Sequence, residues 1–124
     1  MPNELDAKIC EYNGLKQKQF PIVKSITFSQ GIDPIGVTGE FQQQLSLVFS
    51  DNESFVGPFF YLELFGVRNF IFEQPTLSVF NLYLEISKIA TDDVQASRFA
   101  VRNLEMDVAF RCLCCDFVAA ISER

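Results

Sequence analysis

The chain has 124 residues, 14 of them phenylalanine, with four cysteines, no tryptophan, no histidine and a net charge of −6. Such a length suggests one domain, residues 1–124, able to enclose a core without disulfide or metal staples. The acidic balance argues against a nucleic-acid partner, whose phosphates need clustered lysine and arginine, and the missing histidine removes every Ser–His or Cys–His nucleophile and every histidine-bearing metal site.

No apolar run follows the charges at the N-terminus, so no signal peptide is expected. No uncharged apolar run approaches the roughly 20 residues of a membrane span. A cytoplasmic location with reduced thiols is the expectation. In chain order, residues 3–13 read as a short helix, with Asn3 as cap, Asp6 near the positive end of the dipole, and Leu5, Ile9 and Tyr12 on one face. Asn13-Gly14 is its expected stop. Eleven residues make a marginal helix alone, so it needs a sheet to lie against. Lys16 to Gln19 reads as a polar connector.

Phe20 to Phe28 reads as a first strand, with Phe20, Ile22, Ile26 and Phe28 on one face. Pro21 removes a ladder donor and places this strand at a start or an edge. Gly31 to Gly36 is a turn-rich loop. Gln42 to Phe49 is a second strand with Leu45, Leu47 and Phe49 inward, and Ser50 to Ser54 is a solvated turn. Phe59 to Phe65 is a third strand, continued to Phe72 past a bend at Gly66, because an internal glycine often marks a bulge. Gln74-Pro75 breaks the pattern. Phe80 to Ile89 is a fourth strand, and Thr91 to Gln95 starts a brief helical turn.

Residues 98–121 read as a long hairpin turning at Glu105-Met106-Asp107. Val108, Phe110, Cys112 and Cys114 recur at a spacing of two, which places them on one sheet face. From Leu113 onward both faces are apolar, which predicts a central strand covered on both sides. The competing reading is one buried helix from Leu104 to Ile121.

Cys112-x-Cys114-Cys115 resembles a thiolate site, with Cys10 as a fourth ligand. Zinc knuckles, however, converge their sulfurs from a turn. On a strand, Cys112 and Cys114 share a face about 7 Å apart while Cys115 points away. Small buried hydrophobes are the expected role, with no metal and no cofactor. No catalytic residue is assigned: carboxylate-pair chemistry stays formally open at Glu63, Glu85, Asp107 and Asp116, but a working pair needs environments that push two pKa values apart, and Asp116 is expected to pair with Arg111, Arg98 or Arg102.

Tyr61-Leu62-Glu63-Leu64 is echoed by Tyr83-Leu84-Glu85-Ile86. If these strands pair antiparallel, opposing Tyr61 to Glu85 and Glu63 to Tyr83 keeps like charges apart. The result is an acidic patch with aromatic anchors, suited to a basic protein. The plain alternative is a half-wet sheet face.

The runs Leu62 to Phe70 (LELFGVRNF) and Phe110 to Val118 (FRCLCCDFV), with Ile22 to Phe28 before a Gly/Asp/Pro turn, resemble the polymorphic-toxin immunity family numbered 50. The closing motif departs from the family pattern at Leu113-Cys114. The resemblance implies a cytoplasmic protein that binds and blocks a cognate toxin without chemistry of its own; the net charge of −6 suits a basic one.

The expected fold is mainly β or α+β. It comprises a single curved antiparallel sheet of five to six strands, closing towards a half-barrel, with one short N-terminal helix. The expected function is a non-catalytic protein-binding module. The alternative is a small apolar-ligand binder with its pocket inside the curved sheet. An edge at Phe20 to Phe28 would make the chain either a monomer or an edge-strand homodimer.

Overall fold

In the computed structural model, residues 4–32, 41–73, 80–89, 98–105 and 108–122 are described. These residues form an α-helix, α1 (Glu4–Leu15), and eight strands. These are β1 (Ile22–Ile32), β2 (Phe41–Ser50), β3 (Phe59–Phe65), β4 (Arg68–Phe72), β5 (Leu84–Lys88), β6 (Phe99–Asn103), β7 (Phe110–Cys114) and β8 (Asp116–Ser122). They build two four-stranded antiparallel sheets, ordered β1-β2-β3-β8 and β4-β7-β6-β5.

The fold is thus mainly β with a short N-terminal helix, but the single sheet expected from sequence is two. The reason is a shared corner. The β3–β4 segment and the β7–β8 segment are antiparallel neighbours, and both bend at the same level. Gly66 turns the first with φ +64, and Cys115 stands against it. The Cys115 N–H donates to the Phe65 carbonyl across the corner (2.9 Å). Before the corner β3 pairs with β8; after it β4 pairs with β7.

Inward residues of the first sheet include Leu45, Leu47, Phe49, Phe60, Leu62, Leu64 and Phe117. Those of the second include Phe110, Cys112, Cys114, Phe99, Val101, Leu84 and Ile86; all are buried. The rings meet edge to face: Phe99 and Phe117 have centroids 4.9 Å apart at 82°, and Phe49 and Phe60 are 6.0 Å apart at 72°. Such pairs add about 0.5–1.5 kcal/mol beyond area burial. Away from the corner the sheets meet again, through an Ile22–Asn81 bridge flanked by Val23 N–H to Phe80 O (3.1 Å) and Leu82 N–H to Pro21 O (2.9 Å).

Helix α1 starts and ends close to the expected places, although Asn3 lies outside the described residues. Leu5, Ile9 and Tyr12 do form its core face. The stop differs: the left-handed residue is Lys16 (φ 57, ψ 63) and not Gly14. The connector after it is no solvated link. Gln17 is buried at 3% exposure, and its side chain serves the free edge of β5. Its Nε2 donates to Leu82 O (2.9 Å) and Phe20 O (3.2 Å), while its Oε1 accepts from Leu84 N–H (2.8 Å). Tyr12 OH donates to Leu84 O (2.7 Å). One amide and one phenol stand in for a neighbouring strand, as buried backbone groups require.

The loop expected over Gly31 to Gly36 starts later, since Gly31 and Ile32 still pair in β1 with Gln42 and Phe41; Asp33 to Gly36, Gln74-Pro75, Thr91 to Gln95 and Met106-Asp107 lie outside the described residues. The expected central position of residues 108–117 holds for β7, between β4 and β6, but not beyond it: β8 is an edge strand.

An alanine Cβ at position 66 would lie 2.8 Å from Cys115 Sγ and 3.0 Å from its Cβ, in a backbone region L residues avoid. Gly66→Ala is therefore expected to destabilise the fold by roughly 2–4 kcal/mol in urea unfolding, with Cys115→Ala recovering only the clash with sulfur. A Gly66→Ala protein with the wild-type midpoint would refute the corner. Gln17→Leu strands buried backbone groups and is expected to lose roughly 2–4 kcal/mol, against about 1–2 kcal/mol for Tyr12→Phe. Equal midpoints for the wild type and Gln17→Leu would mean that the β5 edge does not depend on this amide.

Candidate functional site

The four residues of the tyrosine–glutamate echo keep the predicted alternation: Leu62, Leu64, Leu84 and Ile86 are buried, and their tyrosine and glutamate neighbours are not. The structure does not bring the four together. Strand β3 pairs with β2 and β8, whereas β5 pairs with β6. Tyr61 stands beside Val48 and Ala120, and Glu63 beside Ser46 and Val118. Glu85 stands opposite Arg102 and forms an ion pair with it at 3.2 Å. Tyr83 precedes β5, its N–H held by the side chain of Asn103 (2.8 Å). The expected patch is therefore two patches, on different sheets, and Glu85 is matched by a cation.

The Tyr61–Glu63 half lies on the outer face of the first sheet. Two cross-strand rows define that face: Ser25–Val48–Tyr61–Ala120 and Thr27–Ser46–Glu63–Val118. These eight positions hold one charge, one tyrosine and small or aliphatic side chains. Val118 is 54% exposed. The rim is charged. Lys24 sits with its Nζ 4.1 Å from the centroid of Phe59, whose ring packs on Tyr61 at 6.3 Å and 75°. Asp116 stands at the other end, and its partner is Lys8 of α1, not one of the arginines expected. Lys8 also lies 5.2 Å from the centroid of Phe117. The sequence signal missed here was helical: Lys8 falls one turn after the acidic start of α1, but nothing local says which strand the helix will cover.

A groove of about 160 Å³ separates α1 from β8, lined by Lys8, Glu11, Tyr12, Leu15, Phe117, Val118 and Ala119. Small-molecule sites begin at about 300 Å³, so this groove is sized for a side chain.

The cysteines behave as core. Cys112 and Cys114 are buried on the inner face of β7, Cys115 packs at the corner, and Cys10 is exposed on α1. No group of three or more metal-ligating side chains gathers among the described residues. Burial pushes the Cys112 thiol up to about 12, and burial together with neighbouring negative charge drives Cys114 upward. Burial also drives the Tyr12 phenol upward. Such thiols are poor nucleophiles, because the thiolate is the reactive form.

No protein-family model, no curated protein and no solved structure matches this chain. No helix among the described residues is long and apolar enough to cross a membrane.

All three raised groups are neutral when folded and ionise more readily when unfolded. The folded state then binds more protons in alkali, so stability is intact below the unfolded pKa and is lost as pH rises. Denaturant midpoints are expected to hold to about pH 8.5 and then fall, by at most about 1.4 kcal/mol per pH unit for each group. A flat profile to pH 10.5 would contradict the burial of Cys112, Cys114 and Tyr12. In the native protein at pH 8, a thiol reagent should modify Cys10 first and leave Cys112 and Cys114 unmodified until unfolding.

Proposed function

We propose that this chain is a non-catalytic protein-binding module, of the immunity kind its sequence resembles, which docks a basic protein through the outer face of the first sheet. The observation that supports this most is the pair of rows around Tyr61 and Glu63. A charge-poor centre with an aromatic anchor and a charged rim is the usual make-up of an interface core. Tyr61 supplies the anchor, Val118 an exposed aliphatic contact, and Glu63 the one carboxylate in the centre. The chain's net charge of −6 steers a basic partner towards it. A standard interface would cover roughly 800 Å² on this side.

On this reading the protein works in the cytoplasm and neutralises a toxin by blocking it. The reading needs no cofactor and no nucleophile. The apolar-ligand alternative is less well supported, because packed rings occupy the space between the sheets and the groove beside α1 has the volume of a side chain.

The test uses a basic, toxin-like protein encoded next to the gene, purified with this chain. Glu63→Lys is expected to weaken binding on the order of tenfold and to flatten its salt dependence; Tyr61→Ala should weaken it by about tenfold to a hundredfold. Glu85→Lys, in the other patch, should bind as the wild type does. Wild-type affinity in both Glu63→Lys and Tyr61→Ala would remove this face as the binding surface.

A further inference from the structure

The first sheet ends in two edges, and they are built differently. The β1 edge begins after Pro21 and carries Lys24 at a bulge between Val23 and Ser25. A proline, a charge and a bulge are the ordinary means of discouraging strand addition. The β8 edge has no proline and no register shift, and its one charge, Asp116, is paired with Lys8. Its register with β3 runs unbroken over seven pairs, and residues 117–121 read Phe-Val-Ala-Ala-Ile. Val118 and Ile121 are 54% and 42% exposed.

The direction of the free backbone groups follows from one contact. The Phe117 N–H donates to the carboxylate of its neighbour Asp116 (2.9 Å), so it points away from β3. Groups along an antiparallel strand alternate in direction. The N–H and C=O of Ala119 and Ile121 therefore face the open side as well. Asp116 is held by Lys8, so the edge presents no uncompensated charge to a second copy, despite the acidity of the whole chain.

We infer that β8 pairs antiparallel with β8 of a second copy about a two-fold axis at Ala119, with Ile121 of each copy filling the groove between α1 and β8 of the other. This register sets Ala119 opposite Ala119 and Ile121 opposite Phe117 of the partner. Four hydrogen bonds form: two between the Ala119 residues, and one from each Ile121 N–H to the Phe117 carbonyl across the axis. The Phe117 N–H, already satisfied, is not needed. Ile121 lies on the same side of β8 as Phe117 and Ala119, the strand residues that line the groove on its inner side with Tyr12 and Leu15. About 160 Å³ admits one branched aliphatic side chain there. The contact is isologous and closed, as a two-fold dimer requires. It joins the two first sheets into one of eight strands and leaves the Tyr61–Glu63 rows accessible on each copy.

Analytical ultracentrifugation across a range of concentrations tests this directly. The wild type should reach twice the 14.1 kDa chain mass. Ala119→Pro removes an N–H that faces the open side, a position where an edge strand tolerates proline; Ile121→Asp puts a charge into the groove. Each should raise the dimer dissociation constant at least about tenfold, with the circular dichroism of the wild type. As a measurement that does not depend on weakening the fold, Ala119→Cys in a Cys10→Ser background should oxidise to an interchain disulfide, whereas Thr27→Cys on the β1 edge should not. A wild type that stays monomeric at hundreds of micromolar overturns the inference. So does a dimer that survives in folded Ile121→Asp, or that crosslinks through position 27 instead of 119. The Glu63→Lys and Tyr61→Ala proteins should dimerise normally, so a failure here is separable from a failure of the partner face.

Discussion

Two paired strands can leave one sheet and enter another only if both bend at the same level. In this chain that condition is met by one left-handed glycine and the cysteine packed against it. Gly66 turns β3 into β4 with φ +64, and Cys115 occupies the space that a side chain on Gly66 would need. The pair determines which strands are neighbours on either side and therefore how the core is divided. Without the corner, residues 59–72 and 110–122 would be two long straight strands with one hydrophobic face each. With it, their first and second halves face one another across a core of phenylalanine rings.

The corner also resets the alternation. Along β7 the inward residues are Phe110, Cys112 and Cys114; along β8 Phe117 is buried, three positions on instead of two. The facing strand makes the same step, from Leu64 to Val67, so the two stay in register through the corner, with Phe65 beside Asp116 and Arg68 beside Leu113. In the sequence, the same phase shift looks like apolar residues on both faces, which is also the signature of a strand covered on both sides. The two causes give one pattern. That is why the central position expected for 108–117 is right for β7 and wrong for β8.

Other parts of the fold were legible for physical reasons that act locally. Leu45, Leu47 and Phe49 alternate with Gln44, Ser46, Val48 and Ser50 and are buried to within 1%. The echo of Tyr-Leu-Glu-Leu correctly sorts its residues to inner and outer faces. What it cannot contain is which strand lies alongside, because pairing depends on contacts far apart in sequence. Hence Tyr61 and Glu63 stand apart from Tyr83 and Glu85. Gln17 was illegible for a related reason. A glutamine among lysines reads as solvated, and only the free edge of β5, 65 residues away, gives it buried partners. Asp116 likewise finds Lys8 at a separation of 108 residues, where sequence reasoning looked to nearby arginines.

The corner and the candidate site are linked through the same shift. Had the alternation of β7 run on unbroken through Cys115, the residues at 118 and 120 would have fallen on the inner face and those at 117 and 119 on the outer. The shift at Cys115 turns Phe117 and Ala119 inward, where they meet Tyr12 and the groove, and turns Val118 and Ala120 outward, beside Glu63 and Tyr61. The charge-poor outer rows and the apolar run 117–121 along the edge share that placement. Cys115 thus matters to the outer face through geometry. Its thiol packs at a bend, and the bend decides which side of the last strand meets solvent.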